Sequence, residues 1–268
     1  MNEIMWPRAK YWDGCANPVI GCHKVSPACE HCYAEASVKR FNMTGCDCKD
    51  FKPTDKPLCK WPRKGIVFAF NMSDVCGEWI TEERAANYFF QAKEITQASK
   101  WCKYLFLTKR VHKMHEAYKR LGVPYTKESR EAWKHVWFGM TAENQEWYDN
   151  RLAHFIYEDN TWLSAEPLLG PIDLHFDEYE GKMGGMPFRW VVVGCESGLN
   201  RRLCNLEWVR DIVKQCRDHG VPVFVKQLEI FGKCVTDIYK FPEDLRIRQM
   251  PFDIPVDLFA KASPAWTL

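Results

Sequence analysis

Short apolar runs rich in β-branched and aromatic residues recur along the chain, and most are followed by a polar cluster and then by a stretch with helical periodicity. Seven such runs are predicted as strands: Pro18–Ile20, Ile66–Phe70, Tyr104–Leu107, Val136–Met140, Trp162–Ser164, Trp190–Val193 and Val221–Val225. This alternation is typical of repeated βα units, whose strands run parallel.

Four helices are predicted between these strands, over 81–99, Val111–Leu121, Gln145–Tyr157 and Leu206–His219. The first begins at Thr81 and has acidic residues in its first turn, where they favour the helix dipole. The last is closed by Gly220, because glycine adopts the left-handed conformation that ends helices.

Six to seven parallel strands alternating with helices predict an α/β fold that forms a partial or complete (β/α) TIM-type barrel. A doubly wound open sheet is the alternative. Residues 1–235 are assigned to the barrel, with an irregular Cys- and Lys-rich insertion at about 42–64. Residues 236–268 are predicted to be a C-terminal extension packed on the barrel.

Polar side chains follow most of the predicted strands, and the ligand site of a parallel barrel lies at the carboxyl ends of its strands. The groups that suit a polar ligand there are Asn71, Ser73, Asp74, Thr141, Glu143, Glu166, Glu196 and Ser197. The cations that suit a carboxylate or phosphate are Lys109, Arg110, Arg201, Arg202 and Lys226. Helix caps are the alternative for Asp74 and Ser197, and surface salt bridges the alternative for Arg110 and Arg202.

The composition bears on cellular location and on the role of the cysteines. At 268 residues and 46% hydrophobic, the chain is long enough to bury a large core without stabilisation by metals or disulfides. A basic leader followed by an apolar run is absent, as is any run of about 18 apolar residues, so the prediction is a cytoplasmic protein without a membrane partner. The chain has 13 cysteines, and disulfides are disfavoured in a reducing compartment. Cysteines that lie close together in the sequence therefore indicate metal binding or catalysis.

Net charge is only +2, but one segment is locally basic. Between Lys39 and Lys64 lie eight basic and three acidic residues, interleaved with Phe41, Phe51 and Trp61. Such a segment suits contact with a nucleic acid, since cations neutralise phosphates and aromatic rings stack on bases. A solvated loop is the alternative.

Cys22, Cys29 and Cys32 fall within eleven residues. Three thiolates from one loop can hold three irons of a cubane cluster and leave the fourth iron open, whereas structural zinc prefers four closed ligands. Zinc remains the alternative, held by the three thiols plus His31 or by Cys29, Cys32, Cys46 and Cys48. A second metal at Cys46, Cys48 and Cys59 is a further possibility, with surface thiols as its alternative.

The loop Gly21–Ala34, with its C-x6-C-x2-C spacing, resembles the phage-associated radical-SAM-like family, and the likeness runs nearly the whole chain. Further matching motifs lie at 71–74, 107–110, 143–145, 163–171, 196–198 and 226–227. The first gap is three residues longer than the usual C-x3-C-x2-C, which weakens the assignment of Cys22. His31 occupies a position where the superfamily usually has an aromatic residue.

The resemblance implies a barrel of the radical SAM type with a [4Fe-4S] cluster on Cys22, Cys29 and Cys32. It implies an S-adenosyl-L-methionine site formed by His31, Asn71, Ser73, Asp74, Thr141, Glu143 and Glu166. Ser73 and Asp74 are assigned to its methionine end, and Thr141, Glu143 and Glu166 to its ribose or to the substrate. The substrate residues are Lys109, Glu196, Ser197, Arg201 and Lys226; Cys195 is a hydrogen-donor candidate, with a buried thiol as the favoured alternative.

The implied activity is reductive cleavage of S-adenosylmethionine to a 5'-deoxyadenosyl radical, with electrons from a donor such as flavodoxin or ferredoxin. The leading substrate hypothesis is thymidine hypermodification in phage DNA, in which N-linked glycinyl-thymidine is isomerised to its C-linked form in the host cytoplasm. One alternative is radical SAM modification or repair of a tRNA or free nucleotide. The other is a zinc-stabilised nucleic-acid-binding protein without catalysis.

Overall fold

The computed structural model describes residues 6–41, 43, 51–124, 126–156, 160–183, 185–198 and 200–255. Its strands are β1 (Gly14–Ala16), β2 (Val19–Ile20), β3 (Thr54–Asp55), β4 (Gly65–Ala69), β5 (Cys102–Thr108), β6 (Val136–Thr141), β7 (Thr161–Ala165), β8 (Val191–Gly194), β9 (Val223–Ile230) and β10 (Lys233–Val235). Its α-helices are α1 (Tyr33–Phe41), α2 (Glu82–Gln97), α3 (Val111–Arg120), α4 (Lys127–Trp133), α5 (Gln145–Leu152), α6 (Phe176–Met183) and α7 (Leu206–Asp218). The predicted α/β class with mostly parallel strands is confirmed.

The chain divides into two compact units. The first unit comprises Trp12–Thr141 and Glu146–Thr161. The second comprises Ala142–Gln145 together with residues from 1–11 and 162–268.

In the first unit, β1, β4, β5 and β6 form a parallel sheet in that order. The prediction that Pro18–Ile20 supplies the first strand was wrong, because β1 pairs with β4 whereas β2 pairs antiparallel with β3. Pro18 separates the two short strands and has no N–H with which to extend the β1 ladder. Its carbonyl instead accepts a hydrogen bond from the amide of Lys56 at 2.7 Å.

The core of the first unit is aromatic. The rings of Phe106 and Phe138 both lie edge-to-face against the ring of Phe89 in α2. The centroid of the Phe89 ring is 4.9 Å from that of Phe106 and 5.1 Å from that of Phe138. Helix α2 begins where expected, since the Thr81 hydroxyl accepts a hydrogen bond from the amide of Arg84. This packing holds β5 and β6 against α2, and part of the candidate site is built at the carboxyl end of β5.

In the second unit, β7, β8 and β9 are parallel and β10 pairs antiparallel with β9. The apolar core packs Tyr11 against Trp162, Trp190 and Phe224, with ring centroids 5.2 to 5.9 Å apart. Strand β10 was not predicted, because its three residues carry no periodic signal.

The segment after β10 returns along β9. The amide of Val225 donates to the carbonyl of Ile247 at 2.8 Å, and the guanidinium of the buried Arg248 donates to the carbonyls of Val225, Lys226 and Thr236. Burial lowers the pKa of Arg248 to about 10. Residues 256–268 of the predicted extension lie outside the described residues.

Helix boundaries follow the predictions except in one place. Helix α5 ends at Leu152 rather than continuing to 157, because His154 and Phe155 form tight i,i+3 turns after it. Helix α7 ends as expected, with Gly220 at a φ of 65°. No bounds were predicted for α1, and helices α4 and α6 were not predicted. Within the described residues, no helix is long and apolar enough to cross a membrane.

Candidate functional site

The cysteine loop leaves β2 through a glycine that cannot be replaced without a clash. Gly21 has a φ of 100°, and a Cβ built on it would lie 2.2 Å from the carbonyl oxygen of Lys52. Its amide donates to the carbonyl of Met72 at 2.9 Å, and its own carbonyl accepts from the Ser73 hydroxyl at 2.6 Å. The loop is therefore held at its start by the polar segment that follows β4.

The three cysteines of the loop have different surroundings, and none is fully buried. Burial and the negative charge of Asp74 raise the pKa of Cys22 to about 12, with the Cys29 and Cys32 thiols adding to the effect. Cys29 lies in a 3-10 turn, 3.9 Å from the Ser26 hydroxyl. Cys32 packs against an apolar cluster that contains Val38. The thiols of Cys29 and Cys32 thus lie near enough to Cys22 to influence its charge.

Arg110 joins the cysteine loop to two strand ends. Its guanidinium contacts Asp74 at 3.0 Å and Glu78 at 2.6 Å, and it donates to the carbonyl of His23 at 3.2 Å. Its side chain is only 5% exposed and lies over the ring of Trp79. The interpretation of Arg110 as a surface salt bridge was therefore wrong, since this cation anchors the backbone beside Cys22.

Asp74 does not cap a helix, so that alternative was also wrong. One carboxylate oxygen accepts hydrogen bonds from the Thr108 hydroxyl at 2.6 Å and the amide of Cys76 at 2.9 Å. The other accepts from the amide of Lys109 at 3.2 Å in addition to Arg110. Asp74 thus ties together the carboxyl ends of β4 and β5 beneath the thiols.

Asn71 is similarly engaged at the end of β4. Its side-chain oxygen accepts from the Asn17 amide at 2.7 Å, and its carbonyl accepts from the Tyr33 hydroxyl at 2.5 Å. Asn71, Ser73 and Asp74 therefore all contribute to the shape of the loop.

The other predicted ligand residues of the first unit are His31, Lys109 and Thr141. His31 and Lys109 are half-buried. Thr141 is buried, and its carbonyl accepts a hydrogen bond from Arg151 at 2.7 Å.

A cavity of about 320 Å³ opens beside Cys22 and is lined also by Lys24, Glu35, Lys39, Phe51 and Lys52. Lys24 and Lys39 both contact Glu35, at 3.1 and 2.6 Å, and these contacts lower the pKa of Glu35. The excess of cations makes this mouth suited to an anionic ligand. Cys46 and Cys48, from the same basic segment, lie outside the described residues.

In the second unit, two ion pairs lie at the ends of neighbouring strands. Glu166 contacts Lys226 at 3.0 Å, and the nearly buried Glu196 contacts Arg202 at 2.5 Å. Ser197 follows Glu196 and is half-buried, and no helix begins there, since α7 is capped by Asn205. Its interpretation as a helix cap was therefore wrong. Glu143 is fully buried in this unit, and its carbonyl accepts from the amide of Leu169 at 2.7 Å.

Cys195 is 1% exposed, which agrees with its interpretation as a buried thiol. Its sulfur lies 3.8 Å from that of Cys234, which is half-buried on β10. The thiol of Cys195 donates to Cys234, and this contact lowers the pKa of Cys234 with help from Arg201 and Lys226. The same contact and burial raise the pKa of Cys195.

The chemistry of the loop thiols fits an iron–sulfur cluster, since such clusters are held by thiolates. The cationic mouth of the cavity, with Lys24, Lys39 and Lys52 against Glu35, offsets part of the negative charge that thiolates bring. Within the described ranges, no group of three His, Cys, Asp or Glu side chains already has the spacing of a metal site. The three thiols would therefore have to converge further on ligation.

The family model described as "Protein of unknown function (DUF5131)" matches residues 3–244. The chain belongs to the DUF5131 family. Searches of the curated proteins and of the solved structures gave no match. The DUF5131 match spans both the cysteine loop and the strand-end ion pairs of the second unit.

Several residues of this DUF5131 chain contact the predicted site residues in the structure but were not predicted from the sequence. Glu78 and Trp79 hold Arg110, but they lie in a loop without a periodic pattern. Cys234 was overlooked because it stands alone in sequence, 39 residues from its partner Cys195. Such pairs become visible only once the strand order is known.

Cys234 is expected to be the fastest thiol of the second unit to react with iodoacetamide at pH 7, because the thiolate is the nucleophile. Cys59 is the matched control, since it is also half-exposed but burial raises its pKa. We expect about a tenfold difference in alkylation rate, measured by peptide mass spectrometry. Equal labelling of the two thiols would contradict a pKa of Cys234 lowered by the Cys195 contact, Arg201 and Lys226.

Proposed function

We propose that this chain is a radical SAM enzyme with a (β/α) TIM-type barrel, and that it modifies a nucleobase. The observation that carries the proposal is the set of three partly buried thiols, Cys22, Cys29 and Cys32, on a loop fastened to the polar end of a parallel strand. Three sulfur ligands leave one iron of a [4Fe-4S] cluster open, and parallel α/β folds place their sites at such strand ends.

When bound, the cluster supplies an electron that cleaves S-adenosylmethionine to methionine and a 5'-deoxyadenosyl radical. The chain's own residues bind and orient. Arg110 and Ser73 hold the loop backbone on either side of Cys22, at the carbonyls of His23 and Gly21. Asp74 compensates Arg110, so the anchor adds little net charge beside the thiols.

Cofactor binding is proposed for His31, Asn71, Ser73, Asp74, Thr141, Glu143 and Glu166. The side-chain oxygen of Asn71 accepts one hydrogen bond, from Asn17, and so has room for a second donor such as the ammonium group of the cofactor. The electron for cleavage of S-adenosylmethionine would come from a donor such as flavodoxin or ferredoxin.

The proposed substrate is glycinyl-thymidine in phage DNA, isomerised from its N-linked to its C-linked form. Substrate binding is proposed for Lys109, Glu196, Ser197, Arg201 and Lys226. Lys226 contacts the Glu166 carboxylate in the structure, and a glycinyl carboxylate presents the same chemistry. The basic segment 39–64 supplies phosphate contacts.

Anaerobic reconstitution with iron and sulfide tests the proposal. The protein should turn brown, bind about four irons per chain, and release 5'-deoxyadenosine when given S-adenosylmethionine and dithionite. Adding DNA that contains N-linked glycinyl-thymidine should yield the C-linked isomer, whereas RNA and free nucleotides should be unchanged. A colourless protein holding one zinc ion would overturn the proposal in favour of a zinc-stabilised binding protein.

A further inference from the structure

The hairpin formed by β9 and β10 ends in a turn that its sequence does not favour. Ile230 pairs with Lys233, which leaves Phe231 and Gly232 as a two-residue loop. Both have positive φ, at 51° and 74°. Asparagine or glycine suits the first position of such a turn, whereas a bulky residue is strained there.

The strained residue also leaves its ring in water. Phe231 is 99% exposed, while most aromatic side chains of the second unit are buried in its core. The chain thus accepts both backbone strain and apolar exposure at one position without a packing gain. Features that break local preferences in this way are typical of functional sites, so the contact that Phe231 makes is expected from outside the chain.

The position of the turn indicates what that contact is. Strand β9 continues past its last pairing with β8, at Gln227, so the hairpin projects beyond the carboxyl end of β8. Arg201 donates to the carbonyl of Gly232 at 2.6 Å and also to the carbonyl of Gly198. The tip is therefore fixed to the loop after β8, which carries Glu196 and Ser197.

Further contacts hold the backbone of this tip in place, and an exposed cation lies next to it. Glu229 accepts from the amide of Gly232 at 3.0 Å and from the amide of Cys204 at 3.3 Å, so its charge is engaged within the hairpin base. Lys233 is exposed next to the turn. An exposed apolar ring on a fixed turn, beside the exposed Lys233, has the chemistry of a wedge that enters stacked bases while a cation contacts phosphate.

We propose that Phe231 is a wedge that inserts between stacked bases of DNA and helps to expose the target base. The inference rests on the proposed function in taking DNA as the substrate. An enzyme that acts on a base inside a duplex must extrude it, and a side chain that fills the gap offsets the lost stacking.

The test uses a DNA duplex with 2-aminopurine next to a mismatched thymine, whose fluorescence rises when the stack opens. The wild-type chain should raise the fluorescence, and Phe231→Asn should bind about tenfold more weakly without that rise. Asparagine suits the turn, so the same variant should melt about 2 °C higher than the wild type. Tyr239→Ala, which removes a 67% exposed ring from the same unit, is the control and should leave binding unchanged.

A wedge predicts weaker binding together with higher stability, whereas a structural phenylalanine predicts lower stability. Unchanged fluorescence and affinity in Phe231→Asn, or a loss confined to RNA of the same sequence, would overturn the inference. The cofactor is tested separately, by cleavage of S-adenosylmethionine without DNA. If the chain opens DNA through Phe231 but forms no cluster, the wedge inference stands and the proposed enzymatic function fails. If the chain cleaves S-adenosylmethionine but Phe231→Asn opens DNA as the wild type does, the proposed function stands and the wedge inference fails.

Discussion

A Cys29→Ala variant is expected to purify without brown colour after anaerobic reconstitution and to release no 5'-deoxyadenosine. Cys29 is the middle of the three loop thiols, and removing it leaves two sulfur ligands where a cluster needs three. Iron content, visible absorbance and product analysis measure the loss together. Because Cys29 is half-exposed, its removal should change the unfolding midpoint little.

Cys59→Ala is the matched control for this prediction. Cys59 is also a half-exposed thiol of the first unit, and it donates to the carbonyl of Lys60 at 3.5 Å. That variant should keep full colour and activity. A Cys29→Ala chain that retained either the four irons or the cleavage of S-adenosylmethionine would contradict the assignment of the loop.

Replacing Arg110 with alanine is expected to lower the free energy of unfolding by about 3–5 kcal/mol. The change leaves the Asp74 carboxylate, whose side chain is 8% exposed, without its cation. An uncompensated buried charge is costly. The Arg110–Asp74 contact accounts for most of the expected loss, because the other partner, Glu78, is 59% exposed and an exposed ion pair contributes little to stability. Urea denaturation of the two chains measures the difference.

Arg84→Ala is the control for Arg110. Arg84 contacts Asp55 at 2.7 Å, but the two side chains are 38% and 61% exposed, so the loss should be about 1 kcal/mol or less. Arg110→Ala should also free the His23 carbonyl and so raise protease sensitivity in the cysteine loop. Equal destabilisation by both variants would contradict the anchoring role.

The regular elements of the fold were readable from the sequence because they follow from local rules. The apolar runs that became β4 to β9 are buried on both faces, as parallel strands require, and the acidic start of α2 and Gly220 mark helix ends. The strand that opens the sheet was misplaced, since β1 has only three residues and its pairing with β4 depends on contacts far away in sequence.

The site was predictable in its residue types but not in its partnerships. The thiol spacing singled out Cys22, Cys29 and Cys32 directly. The burial of Arg110 could not be predicted from the sequence, because its partner Asp74 lies 36 residues away. In sequence alone, an arginine that follows a strand looks the same whether it is buried or exposed. Phe231 was missed for a similar reason, because a single phenylalanine gains meaning only from its backbone angle and exposure.

The close approach at Gly21 has a consequence for how related chains vary. The Lys52 carbonyl occupies the space of a side chain at 21, and the Phe51 carbonyl accepts from the amide of Cys22 at 3.1 Å. The segment Phe51–Lys52, just before β3, is thus held against the start of the thiol loop. Any side chain larger than hydrogen at 21 should therefore be selected against among relatives.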